Sequence, residues 1–197
     1  YLFIFLSLFL LHYFPFVRYS IGPDDYAFLH KEYLGILNLI EYSDRPLQYL
    51  FIDLQNIYIA DNYYLGSIFN FISNLILLCI LFEILNQIFN NNFKFSFVIV
   101  LFINLFITRA EIFHYPIYIF INLITSIYLI SFFFFLKFIK SKKYFYFILS
   151  LVFYLIGIFG YEIGFFLIFI YVILYFYYFE PKLKSFIKIF IPLFLLI

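Results

Sequence analysis

Two adjacent carboxylates, Asp24 and Asp25, stand just beyond the first apolar run of the chain, and a guanidinium, Arg45, follows them in the same polar stretch. A carboxylate pair and a cation at the edge of a hydrophobic run are placed where a lipid headgroup would enter, which points to binding chemistry directed at a charged headgroup. All three arginines of the chain, Arg18, Arg45 and Arg109, fall in or beside such edge segments. The planar guanidinium fork matches phosphate and stays charged at any accessible pH, so a phosphate-bearing ligand is one reading of the three. Ordinary anchoring to headgroups is the other. A second role is open to the aspartates as well. Gly22-Pro23 forms a turn signal, and Asp24 and Asp25 then sit at the N-cap of a helix expected from Tyr26 to Leu34 and stopped by Gly35.

Two smaller clusters carry further candidates. Arg109-Ala110-Glu111-Ile112-Phe113-His114-Tyr115-Pro116 is a compact polar turn in which Arg109 and His114 suit phosphate or hydroxyl contacts. An exposed Arg109 to Glu111 pair would explain the same residues and contribute little energy. Gly160-Tyr161-Glu162-Ile163-Gly164 sets one carboxylate between two glycines, whose small size permits close approach of backbone or ligand, and an ionisable group at a membrane edge is a substrate-contact hypothesis. Elsewhere the signals are weaker. His12 lies inside an apolar run, Glu83 near a span end is expected to reach the interface or pair with Lys94, and Asn70, Asn74, Asn104 and Asn122 are expected to hydrogen-bond between helices. Cys79 is the only cysteine, which excludes internal disulfides and cysteine-rich metal sites. No His-Glu-x-x-His, P-loop or dinucleotide glycine pattern occurs, and with a net charge of +1 no nucleic-acid partner is expected.

The elements that must position these residues are set by composition. The chain is 67% hydrophobic, 28% aromatic and only 12% charged, with a mean hydropathy of +1.07. A soluble domain is about half apolar, so this chain is expected to be an all-α, polytopic transmembrane helix bundle. At about 20 residues per span, apolar runs place about seven spans, at residues 1–17, 64–88, 95–108, 117–136, 144–159, 164–179 and from 186 onward. They form a single membrane domain over residues 1–197. The first run lacks the basic start and small-residue cleavage site of a signal peptide, so it reads as a span. Met is absent, the chain opens at Tyr1-Leu2 inside one apolar run and closes inside another, and a longer parent chain is expected. The excess of Phe, Tyr, Ile, Leu, Asn and Lys fits an AT-rich genome, so the Phe runs carry no functional weight.

Charge sets the orientation. Lys94, then Lys137, Lys140, Lys142 and Lys143, then Lys182, Lys184 and Lys188 mark three connections as cytoplasmic, because positive residues stay inside. The long acidic loop over residues 18–63, the Arg109 to Pro116 turn and the Gly160 to Glu162 turn then face outward. Within that loop a second helix is expected from Pro46, capped by Asp44. Its apolar positions Leu47, Leu50, Phe51, Leu54, Ile57 and Tyr58 follow amphipathic spacing, so it would lie along the membrane surface.

On these residues the chain resembles the membrane-embedded glycosyltransferases of the GT-C fold. The matching elements are one N-terminal span, a long first outer loop with an early acidic pair in Pro23-Asp24-Asp25-Tyr26, and Asp44-Arg45-Pro46-Leu47. The nearest look is to the bacterial O-antigen glucosyltransferase branch, with Asp44 standing where that branch has a glycine. The resemblance spans the whole chain in topology and about 25 residues in motif. It implies a polyprenyl-phosphate-linked sugar as donor, a glycan or lipid-linked polysaccharide as acceptor, and a site on the extracytoplasmic face of a bacterial inner membrane. It also implies Asp24 or Asp25 as catalytic base or as contact to a divalent cation, with Arg45, Arg109 and His114 on the donor phosphate and Glu162 and Arg18 as substrate contacts. Competing readings are a transporter or flippase of lipid-linked or small solutes, which would place charges in mid-span, a polysaccharide polymerase, and a non-catalytic membrane subunit.

Overall fold

The computed structural model describes residues 47, 50, 51, 54, 63–105, 117–161 and 164–179. Every regular element among them is helical: α1 (Tyr63–Ile88), α2 (Phe93–Leu105), α3 (Ile117–Ser141), α4 (Tyr144–Gly160) and α5 (Phe165–Phe179). Within α1 and α3, the segments Ile68–Ile88 and Ile119–Ser141 are long and apolar enough to cross a membrane. At 1.5 Å per residue the 26 residues of α1 rise about 39 Å and the 25 of α3 about 37 Å, against a hydrocarbon core of about 30 Å. α2, α4 and α5 are apolar but shorter. The expected spans at 1–17 and from 186 onward lie outside the described residues.

The helix ends follow from local chemistry. Asn90 and Asn91 adopt left-handed backbone (φ 52° and 65°), a conformation that asparagine tolerates better than other L residues. The Asn91 N–H donates to the Asn86 carbonyl at 2.8 Å, the six-to-one bond that closes α1. Asn92 then caps α2, its Oδ1 accepting from the Phe95 N–H at 3.3 Å while its carbonyl accepts from Ser96 Oγ at 3.1 Å. A short asparagine turn thus reverses the chain, and Phe82–Phe93 and Phe89–Phe95 ring contacts pack the two helices (centroids 6.4 and 4.7 Å apart).

At the far end of α3 the helix runs past the expected boundary near residue 136 to Ser141, carrying Lys137 and Lys140 inside it. The apolar run stops at the first lysine, but the hydrogen-bond ladder does not, because lysine is a good helix former and favours a C-terminal turn. Lys142 (φ 56°) ends the ladder, its N–H donating to the Phe138 carbonyl at 2.7 Å. Lys142 and Lys143 alone separate α3 from α4.

Alongside a buried apolar core that includes Leu78, Val100, Phe120 and Phe135, large apolar side chains also lie on the surface. Phe166, Ile173 and Tyr177 are 72%, 65% and 77% exposed. Asn70, Ser73, Asn74, Ser96, Asn122, Ser126, Ser131 and Ser150 are buried. Such extensive exposed apolar surface marks a face made for lipid or for another protein, and buried amides and hydroxyls are the groups that join helices in an apolar solvent. Packing divides the chain into two units, Tyr1–Ser126 and Ile127–Ile197, so α3 begins in the first and ends in the second.

Candidate functional site

In the first unit the polar contacts centre on Asn122. Its Nδ2 donates to Asn70 Oδ1 and to Ser73 Oγ, both at 3.4 Å, while Ser73 Oγ donates to the Asn70 carbonyl at 2.8 Å and Ser126 Oγ to the Asn122 carbonyl at 2.7 Å. The expected inter-helix role of Asn70 and Asn122 is therefore present, through long bonds. Asn74 is buried on the same helix as Asn70, and the Asn104 side chain lies outside the described residues. Glu83 is exposed, with no ion pair to Lys94.

One contact in this unit joins the 18–63 segment to α3. Phe51 has helical backbone, as do Leu47, Leu50 and Leu54, and its ring lies 5.7 Å from that of Phe120 near the start of α3. Arg45 precedes Phe51 by six residues, and His114 precedes Phe120 by six. The contact thus joins the segment after Arg45-Pro46 to the helix that follows the Arg109 to Pro116 turn.

In the second unit a hydroxyl chain links three helices. Ser131 Oγ donates to the Ser150 carbonyl at 2.7 Å, and its single proton is thereby used. The Tyr171 hydroxyl, 2.6 Å away, must then donate to Ser131 Oγ. Phe135 stacks on Tyr171 with centroids 4.3 Å apart, and Tyr154 packs beside Tyr128 and Tyr171 at 6.0 and 6.1 Å. The Tyr154 hydroxyl is fully buried and has no hydrogen-bond partner among the described residues. An unpaired buried hydroxyl costs about 1–3 kcal/mol, whereas removing a paired one forfeits a bond of about 1 kcal/mol. Tyr154→Phe is therefore expected to raise the thermal unfolding temperature of the detergent-solubilised protein, and Tyr171→Phe to lower it.

Tyr128 has the most constrained setting. Its hydroxyl donates to the Tyr161 carbonyl at 2.5 Å. Its ring edge fills the space over two glycines: a Cβ at Gly157 would lie 2.5 Å from Cε1, and one at Gly164 would overlap Cζ and Cε1 more severely. Tyr161 is the extended residue that ends α4, its N–H bonded to the Gly157 carbonyl at 2.9 Å, and Gly164 immediately precedes α5. A single side chain therefore holds the junction at the residues on either side of Glu162-Ile163. Of the two glycines that flank Glu162, Gly164 has the expected close approach, and the second crowded glycine is Gly157 and not Gly160. The occupant at Gly164, a tyrosine ring from α3, was not legible in the sequence, because nothing distinguishes Tyr128 from the other 20 tyrosines of the chain by local pattern.

Of the sequence-derived site residues, Arg18, Asp24, Asp25, Arg45, Arg109, His114 and Glu162 all lie outside the described residues. Among the described residues no group of three or more His, Cys, Asp or Glu side chains gathers to hold a metal. No family model matches the chain, and neither a curated protein nor a solved structure is significantly similar to it.

Proposed function

We propose that this chain is a multi-pass membrane glycosyltransferase that moves a sugar from a polyprenyl-phosphate donor to a glycan or lipid-linked acceptor on the extracytoplasmic face of a bacterial inner membrane. The observation that carries the reading is the Phe51–Phe120 contact, which brings the segment following Arg45 to the helix following Arg109 and His114. Phe51 lies six residues after Arg45, and Phe120 lies six residues after His114. Phe120 is also 20 residues from Lys140 along α3, about 30 Å of helix rise, so this contact and the lysines occupy opposite ends of one element. That separation supports an acidic loop on the side away from the lysines.

The chemistry follows from location. Nucleotide sugars are cytoplasmic, so a transferase facing outward needs a donor carried in the lipid. Asp24 or Asp25 accepts the proton of the acceptor hydroxyl as its oxygen attacks the anomeric carbon. The bond from that carbon to the phosphate oxygen breaks, and Arg45, Arg109 and His114 stabilise the charge that grows on the departing phosphate. Attack from the face opposite the leaving group inverts the anomeric centre. Glu162 and Arg18 contact the sugar or acceptor, and a divalent cation is compatible with the aspartate pair. Among the described residues no charged side chain is buried, which favours chemistry at the interface over a translocation path through the bundle.

The test is consumption of radiolabelled polyprenyl-phosphate hexoses by membranes containing the full-length protein. Consumption of at least one donor above that of membranes lacking the protein is expected. If no donor in the panel is consumed, the transferase reading is wrong and a transporter or scaffold takes its place.

A further inference from the structure

We propose that Tyr128 is a positioning residue for Glu162, the carboxylate assigned above to the sugar or acceptor, an inference that rests on the transferase reading and deepens it. Glu162 itself lies outside the described residues, and it is the only charged residue from Tyr144 to Phe179. One side chain meets the chain on both sides of it. The Tyr128 hydroxyl donates to the Tyr161 carbonyl at 2.5 Å. A peptide unit is planar, so the oxygen that receives this bond belongs to the same rigid group as the N and Cα of the next residue, Glu162. Holding that oxygen therefore restricts where the Glu162 side chain begins. Two residues further on, the edge of the Tyr128 ring occupies the space that a side chain at Gly164 would need.

The ring that makes this contact is itself fixed. Tyr128 is buried, meets the Tyr154 ring edge-on with centroids 6.0 Å apart, and is received within α4 by Gly157, where a Cβ would collide with it. The helix ends at the residue it holds: Tyr161 is extended (φ −160°, ψ 124°), and its N–H closes on the Gly157 carbonyl at 2.9 Å. The 17 residues of α4 rise about 25 Å from Lys143 to this junction, so the contact lies at the end of the helix away from the lysines, where the transferase reading puts its chemistry. A carbonyl at a helix end needs a partner in any protein, and a bond that did no more than this would act on stability alone. Positioning acts on rate. Displacing a substrate-contacting group by about 1 Å costs about 10²-fold, and the two roles are separated by whether the effect of Tyr128 depends on the Glu162 carboxylate.

The experiment follows consumption of the polyprenyl-phosphate hexose that wild type consumes, in membranes containing the full-length protein, for Tyr128→Phe, Glu162→Gln and the double variant at matched expression. Tyr128→Phe is expected to lower kcat/KM by about 10- to 100-fold, and Glu162→Gln by at least as much. The double variant is expected to match Glu162→Gln alone, because no carboxylate is left to position. Losses that multiply in the double variant overturn the proposal and mark the Tyr128 bond as structural. An undiminished rate in Tyr128→Phe or in Glu162→Gln overturns it as well. If Tyr128→Phe does not accumulate in membranes, Glu162→Asp decides, since it keeps the charge and withdraws it by one methylene: a loss of about tenfold or more is expected, and a wild-type rate overturns the assignment. If wild type consumes no donor, the transferase reading itself fails and takes this assignment with it.

Discussion

Membranes carrying Asp24→Asn or Asp25→Asn are expected to consume the lipid-linked donor about 10²- to 10⁴-fold more slowly than wild type at matched expression, for whichever of the two serves as base. The choice of asparagine separates the two roles open to the pair. Asn caps a helix about as well as Asp, so if these residues only cap the helix expected from Tyr26, both variants retain wild-type rates. Asparagine keeps the shape of aspartate but cannot accept the acceptor's proton, so a catalytic role is lost while a capping role is kept. The loss is expected in kcat with KM little changed, because the proton is transferred only as the transition state is reached. A loss confined to KM would instead place the carboxylate in substrate or cation binding.

The second large effect is expected at Gly164. An added methyl there overlaps the Tyr128 ring, which is buried and bonded through its hydroxyl to the Tyr161 carbonyl. Overpacking of this kind costs about 1–3 kcal/mol in a well-packed core, and Gly164→Ala should lower the thermal unfolding temperature of the purified protein accordingly. The partner variant identifies the cause. If the clash is with Tyr128, then Gly164→Ala is tolerated much better in a Tyr128→Ala background than in wild type, a non-additive pair. Additive effects would show that the ring and the glycine do not share this space. Tyr128→Phe is the gentler probe: it keeps the ring and removes only the bond to Tyr161. Its effect on donor consumption reports whether a fixed junction beside Glu162 matters to transfer.

What was readable from sequence and what was not divides along physical lines. Apolar runs at 64–88, 144–159 and 164–179 fall within a residue or so of α1, α4 and α5, because a helix satisfies its backbone hydrogen bonds internally and continues wherever the apolar run does. The ends moved where polar side chains joined the helix. Lys137 and Lys140 extend α3 beyond its apolar run, and Asn92 starts α2 before the run at 95 and in place of a loop around Lys94. Asp24, Asp25, Arg45 and Glu162 stand out as ionisable groups in so greasy a chain, and all four lie outside the described residues. Tertiary partners were not legible. Ser131, Ser150 and Tyr171 lie on three helices, and their hydroxyl chain depends on helix rotation and depth, which carry no local signature. The aromatic bias, without functional weight as composition, proves to build the packing of the second unit, where Phe135 stacks on Tyr171 and Phe134 on Phe153.

The sidedness of the acidic loop tests the whole proposal most directly, since an outward site is what makes a lipid-carried donor necessary. Cys79, the single cysteine, is replaced by serine, and single cysteines are introduced by Asp25→Cys and Lys143→Cys for labelling with a membrane-impermeant maleimide. The prediction is that the Asp25→Cys protein labels in intact cells and the Lys143→Cys protein only after the membrane is opened. Labelling of both from the same side, or of Lys143→Cys alone in intact cells, would contradict it and place the aspartates where soluble nucleotide sugars are present.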